Sequence, residues 1–257
     1  MKFFNSKESL GVLFVILAYF SFALLDTIQK TAVLYHTIFQ LLLVKYCFVL
    51  FLSIFESRRM KTYNFYKSKN LKLQIIRSIL SIIESGCFVL SFKYLTLANV
   101  HSIGSLTPVI VVALSAIFLK ERVTPKIWIA IFIGFIGVLI IMRPGLSIFD
   151  PKSIIPLFAA FFLSLYQVIT RKSSEYDSPE TSLFYNSIIG IGSMAVFSFF
   201  FWKELTPSSY LFFIAVGAFF SMGLYFQIIA LTKARASIVQ PFHYTLIFWS
   251  IIFGYIF

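Results

Sequence analysis

Apolar positions in this chain come in long blocks separated by short polar connectors. The blocks occupy residues 10–25, 35–55, 73–95, 100–119, 127–142, 154–170, 181–202, 210–231 and 236–257. Each approaches the ~20 residues that a helix needs to cross a bilayer. Helices are the element to expect, because lipid offers no partner for an open backbone group. The pattern therefore predicts nine membrane spans. Two helix starts are written sharply. Ser178-Pro179-Glu180 puts a hydroxyl cap, a first-turn proline and an acid at the positive end of the helix dipole, and Thr124-Pro125 makes the same signal before the fifth block.

The stretch from Glu84 to Gly145 holds three of these blocks, and a weaker copy of it lies near the end of the chain. At a separation of 136 positions, Leu95, Thr96 and Ala98 fall on Leu231, Thr232 and Ala234, and each copy carries a proline soon afterwards, Pro108 and Pro241. A repeated helix group implies a duplicated membrane protein. With five spans per unit, an odd number, the second unit crosses in the opposite sense. That is the inverted repeat of many secondary transporters, with its binding site near the midplane. The expected fold class is all-α: a polytopic membrane protein made of two five-helix units, 8–145 and 151–257. Only four spans are visible in the second unit and the chain stops at SIIFGYIF, so a tenth span is expected beyond Phe257.

Composition narrows the function classes. Hydrophobic residues make up 59% of the chain and charged residues 12%, against about 25% charged in a soluble domain. The net charge of +12 does not point to nucleic acid, because the basic residues sit in the connectors. With the N-terminus inside, fifteen Lys and Arg fall in inner connectors and five in outer ones. This bias predicts an integral protein of a bacterial-type inner (plasma) membrane with a cytoplasmic N-terminus. The first block lacks a small-residue cleavage site and reads as a retained span rather than a signal peptide. Cys47 and Cys87 have no CxxC spacing and read as packing residues. The sequence shows no P-loop, HExxH, GxSxG or Cys/His cluster, so no cofactor, metal or catalytic residue is expected and the chain does not read as an enzyme.

Ionisable residues inside spans are costly and default to functional candidates. Lys45 lies mid-span, roughly 15 Å from either surface at 1.5 Å per residue, too deep for easy snorkelling. Glu84 lies at a similar depth in the next span, and opposite charges there should pair or share a wet cavity. Arg77 lies nearer its span's end, either snorkelling to the inner surface or on the pathway. Asp26 and Lys30, spaced i and i+4, read as an exposed helix-end pair or as an outer gate. Pro108 and Pro241 remove backbone hydrogen bonds within spans, as packing kinks or to expose carbonyls to a substrate. Gln167, Gln227, Gln240, His243 and Tyr244 are candidates for lining the pathway or for interhelical hydrogen bonds. Gly134 and Gly137 read as sites of close helix packing.

Taken in order, several short pieces resemble the drug/metabolite transporter superfamily, in its EamA-type ten-helix branch. In the first half they are Asp26-Thr-Ile-Gln-Lys30, Tyr94-Leu-Thr-Leu-Ala98, Thr107-Pro108, Phe118-Leu-Lys-Glu121, Gly134-Phe-Ile-Gly137 and Arg143-Pro-Gly145. In the second half they are Tyr166-Gln-Val-Ile-Thr-Arg171, Pro179-Glu-Thr-Ser-Leu-Phe-Tyr185, Ala234-Arg-Ala-Ser237, Pro241-Phe-His-Tyr244 and Trp249. The resemblance implies a secondary active transporter of a small metabolite, driven by a coupling proton or a counter-substrate, in a lipid bilayer and with no nucleic-acid partner. One related branch imports S-adenosylmethionine, and a homodimer stays open. His243 stands where many relatives carry an acid, which puts carboxylate coupling there in question. Lys45 stands where the family usually has arginine, keeping the charge but losing the bidentate fork. The rival readings are a membrane-embedded enzyme such as a transferase and a non-transporting truncated membrane protein.

Overall fold

The computed structural model describes residues 6–142 and 150–256; Lys2, the Arg143-Pro-Gly145 motif and Phe257 lie outside them. Helix α1 (Ser6–Tyr35) is followed by α2 (Ile38–Arg59), α3 (Leu71–Tyr94), α4 (Leu97–Gly104), α5 (Thr107–Phe118) and α6 (Pro125–Met142). A single 3-10 turn, Pro151–Ser153, then leads into α7 (Ile154–Ser173), α8 (Pro179–Phe200) and α9 (Pro207–Lys233). The chain continues through α10 (Ala236–Val239), a 3-10 segment (Gln240–Tyr244) and α11 (Thr245–Ile256). The described residues contain no strand. Eight helical stretches are long and apolar enough to cross a membrane, with Pro125–Ile140 as a shorter ninth. The protein is an all-α integral membrane protein.

Three stretches depart from the expected spans. The first helix runs on through Asp26-Thr-Ile-Gln-Lys30, which resembled the end of a span. Its polar residues fall on one stripe and turn inward, where Gln29 is buried, so no loop is needed to hydrate them. The fourth and ninth blocks are each broken. Block four stops at Gly104 and restarts at Thr107, with Pro108 in the first turn of α5. Block nine passes from α10 through the 3-10 segment, where Pro241 sits in the first turn. Each proline thus opens a new helical segment, where its missing N–H costs nothing. The proline-led starts at Ser178 and Thr124 appear as expected, with the Ser178 hydroxyl accepting from the Thr181 amide.

The duplication is visible in the backbone. Tyr94 ends α3 and Lys233, 139 positions on, ends α9; Leu97 starts α4 and Ala236, again 139 on, starts α10. The junction residues match in conformation: Leu95 at φ −119, ψ 158 and Ala234 at φ −130, ψ 156, then Thr96 at φ −69, ψ 153 and Arg235 at φ −62, ψ 144. The three identities seen at 136 are therefore three residues out of register, close to one helical turn. By the same register, Pro108 and Pro241 are not equivalent positions.

The packing follows the same symmetry. Helix α1 packs on α9 and its counterpart α7 on α3, while α2 packs on its own counterpart α8. The contact of α1 with α11 is likewise repeated by α7 with α5. Small residues permit the close approaches. A methyl group on Gly190 would stand 2.3 Å from the Tyr46 ring, and one on Gly134 2.2 Å from the Tyr244 ring, whereas Gly137 has nothing within 4 Å. The outer surface is strongly apolar, with Phe199, Leu211 and Phe51 among the most exposed side chains. The interior holds buried Ser, Gln, His, Arg and Lys side chains. This is the distribution expected when lipid rather than water surrounds the bundle.

Candidate functional site

The inward stripe of α1 is the spine of a central cavity. Tyr19, Phe22, Asp26 and Gln29, spaced three or four residues apart, share one helix face and line it together. Helix α2 contributes Lys45, α3 contributes Glu84, Ser85 and Phe88, and the end of α4 contributes His101 and Gly104. From the second half come Phe220, Leu224 and Gln227 of α9, His243 of the 3-10 segment, and Leu246 and Ile247 of α11. The cavity has a volume of about 90 Å³.

Lys45 and Glu84 share this cavity but form no ion pair within 4 Å. The Lys45 ammonium stands 4.8 Å from the centroid of the Phe220 ring. Glu84 accepts a hydrogen bond from the Ser85 hydroxyl at 3.2 Å. Asp26 faces His101, its Oδ2 3.8 Å from the ring Nε2, which has no hydrogen-bond partner among the described residues. His243 Nδ1 meets the Tyr19 hydroxyl at 3.1 Å, the two rings 4.7 Å apart between centroids. The polar lining thus holds two carboxylates and one ammonium, together with two imidazoles and two amides, against aromatic walls. Such a surface offers donors and acceptors to a polar ligand and a cation–π face to a positive one. Among the described residues no cluster of three or more His, Cys, Asp and Glu side chains is placed to hold a metal ion.

The remaining sequence candidates lie elsewhere. Arg77 is fully buried between the halves and does not snorkel. It donates to the Gln74 side chain, the Ser182 carbonyl, the Thr170 hydroxyl and the Tyr166 hydroxyl at 2.7–3.2 Å. Those acceptors satisfy a guanidinium fork in place, so it ties α3 to α7 and α8. Lys30 is not an exposed partner of Asp26. Its ammonium donates to the Phe92 and Leu95 carbonyls at 2.6 and 2.7 Å, closing the C-terminus of α3. Gln240 donates to Gln167 at 2.6 Å, and the Tyr244 hydroxyl reaches the Ser105 carbonyl at 3.4 Å. Neither glutamine, nor Tyr244, nor either proline lines the cavity.

Sequence reasoning passed over Tyr19, Gln29 and His101. His101 falls at the start of the fourth apolar block, and it is buried in the last turns of α4. The signal was its position just ahead of Gly104 and Pro108, where the span breaks. Glu121 was also passed over. It accepts from the Ala236 and Ser237 amides, each at 3.0 Å, and from the Ser237 hydroxyl at 2.6 Å, capping α10 from the opposite half. Lys120, at φ 53, turns the chain there, with the Glu121 amide bonded back to the Ser115 carbonyl.

At this end of the bundle four further ties cross between the halves. Arg235 reaches Glu8 at 3.3 Å and Arg171 stands 3.8 Å from Glu121. Asp177 accepts from the Ser68 hydroxyl and the Lys69 amide. Tyr225 donates to Glu56 at 2.9 Å.

Known proteins share this architecture. The chain is 26% identical over 198 residues to a riboflavin transporter of Brucella anthropi, an alignment covering 74% of this chain and 69% of that one. It is 28% identical to an S-adenosylmethionine uptake transporter of Rickettsia conorii, covering 75% of this chain and just 65% of the relative's own length. A solved crystal structure superposes with a TM-score of 0.78 at 17% identity, over 97% of this chain and 87% of the other, and shows the same fold. The EamA-like transporter family is matched over residues 9–143 and 153–257, nearly the whole length, with the break falling between α6 and α7. The chain belongs to the EamA-like transporter family.

Proposed function

We propose that this protein is a secondary active transporter that carries a small metabolite across the plasma membrane by alternating access. The N-terminus is cytoplasmic, and the units 8–145 and 151–257 move against each other around the central cavity. The observation that carries this reading is the cavity itself. It lies between the repeats, it is lined from both, and it holds Asp26, Lys45 and Glu84 at the depth where a charge is otherwise hardest to keep. At about 90 Å³ it falls below the ~300–1,000 Å³ of typical ligand sites, so a metabolite enters only when the halves part. The polar ties at the Glu121 end support a closed cytoplasmic gate. A coupling proton or counter-substrate drives the cycle.

The names of the relatives put riboflavin and S-adenosylmethionine first on a panel of candidate substrates. The test is uptake of each labelled compound into proteoliposomes, with and without an imposed pH gradient or a trapped counter-substrate. Saturable uptake of one compound above empty liposomes is the expected result. Binding without accumulation under any gradient counts against active transport.

A further inference from the structure

A second cavity, of about 290 Å³, opens at the end of the bundle opposite Glu121, where the α1–α2 turn meets the ends of α3 and α8. One side of it is apolar: Phe39 lines it, and Leu34 and Phe201 lie largely exposed on the outside of the bundle. The other side is cationic. Lys93 and Lys203 come from different halves of the chain, and among the described residues neither ammonium has an ion-pair partner within 4 Å; nor has Glu204 beside them. His36 completes the wall. It is 4% exposed, with its ring against Phe213 and its Nδ1 without a hydrogen-bond partner among the described residues. The start of α2 adds the positive end of its dipole, with Thr37 as the cap.

These features ask for an anion with an apolar body. A soluble phosphate would use the lysines and leave Leu34, Phe39 and Phe201 uncovered. We propose that this cavity binds an anionic phospholipid, its phosphate between Lys93 and Lys203 and its acyl chains along Leu34, Phe39 and Phe201. The site is separate from the central cavity and stands whether or not the protein transports. Lysines at a membrane surface draw anionic headgroups in general; here two of them line one cavity with a buried imidazole whose Nδ1 has no hydrogen-bond partner among the described residues, opposite an apolar side.

The experiment melts the detergent-purified protein with phosphatidylglycerol or with phosphatidylcholine added. Phosphatidylglycerol should raise the midpoint about 2–4 °C above phosphatidylcholine. The Lys93→Gln/Lys203→Gln double variant should lose that difference, and a Lys67→Gln/Lys72→Gln control in the connector between α2 and α3 should keep it. Equal midpoints with the two lipids, or a difference that survives in the Lys93→Gln/Lys203→Gln protein, overturns the proposal. So does an equal shift with inorganic phosphate alone, which would assign the cavity to a soluble anion. If the double variant melts too low to compare, the ratio of the two lipids retained on folded molecules in native mass spectrometry decides the matter instead. That ratio should fall at least several-fold from the unmodified protein, and an unchanged ratio refutes the assignment.

Discussion

Lys30 and Arg171 perform the same task in opposite halves. Lys30, on α1, donates to the Phe92 and Leu95 carbonyls at the end of α3. Arg171, on α7, donates to the Leu231 and Thr232 carbonyls at the end of α9, at 2.8 and 3.3 Å. Phe92 and Leu231 are 139 positions apart, the register that also relates the helix boundaries. A cation at a helix C-terminus satisfies orphan carbonyls and complements the dipole. Here each one also binds the first helix of a half to its third, just before the span that breaks.

Replacing either cation should therefore loosen the same joint. Lys30→Met or Arg171→Met removes the donor to two carbonyls and should cost about 1–3 kcal/mol. Thermal unfolding in detergent reads this as a lowered midpoint. Lys30→Arg, which can still reach both carbonyls, should restore most of the loss. A Lys30→Met protein that melts like the parent would show that the bonds carry no net stability.

Lys45 and Glu84 are expected to serve transport rather than packing. Lys45→Met and Glu84→Gln should each abolish uptake by reconstituted protein while leaving yield and melting nearly unchanged, since no ion pair joins them to be broken. A structural pair behaves oppositely: single changes destabilise and the double apolar replacement restores activity. Normal uptake by the double variant would refute the assignment to the pathway.

Arg77 should behave as a structural residue. Its four acceptors lie on two helices of the other half and on its own, so Arg77→Met leaves several buried polar groups without a donor, at about 1–3 kcal/mol each in the worst case. The expected outcome is low yield and a depressed melting midpoint, with uptake per folded molecule largely kept. Arg77→Lys should rescue poorly, because an ammonium cannot reproduce the fork. Loss of uptake without loss of stability would return Arg77 to the pathway.

The charge bias of the connectors makes a topological prediction. In a background free of Cys47 and Cys87, a cysteine replacing Lys61 or Lys172 should react with an impermeant thiol reagent only after the cells are opened. One replacing Lys203 should react in intact cells. Labelling at position 61 from outside would reverse the orientation.

The all-α membrane-spanning fold, the duplication and the family resemblance were legible in the sequence because lipid imposes long apolar blocks and the helix starts carry their own caps. The interior was less legible. Asp26 and Lys30 looked like the end of a helix because a polar stripe facing inward has the same composition as a connector facing water. Only the partners across the bundle, His101 for one and the α3 carbonyls for the other, tell the two apart. Arg77 read as snorkelling or on the pathway and Lys45 as too deep to snorkel, yet Arg77 is held by four oxygens between the halves while Lys45 faces a ring and the central cavity. No local pattern encodes that difference. The repeat was legible but misaligned, since Leu, Thr and Ala recur often enough in apolar helices to match three residues out of step.

The hold of Glu121 on α10 has a mechanical consequence. Three hydrogen bonds fasten Ala236 and Ser237 to a carboxylate that belongs to the other half. The same short segment then runs, without a loop, into the turn that presents His243 beside Tyr19. A shift of the α5–α6 connector must either release all three bonds at once or drag that imidazole along with it. The latch at the surface and the wall of the chamber are two ends of one continuous helical segment.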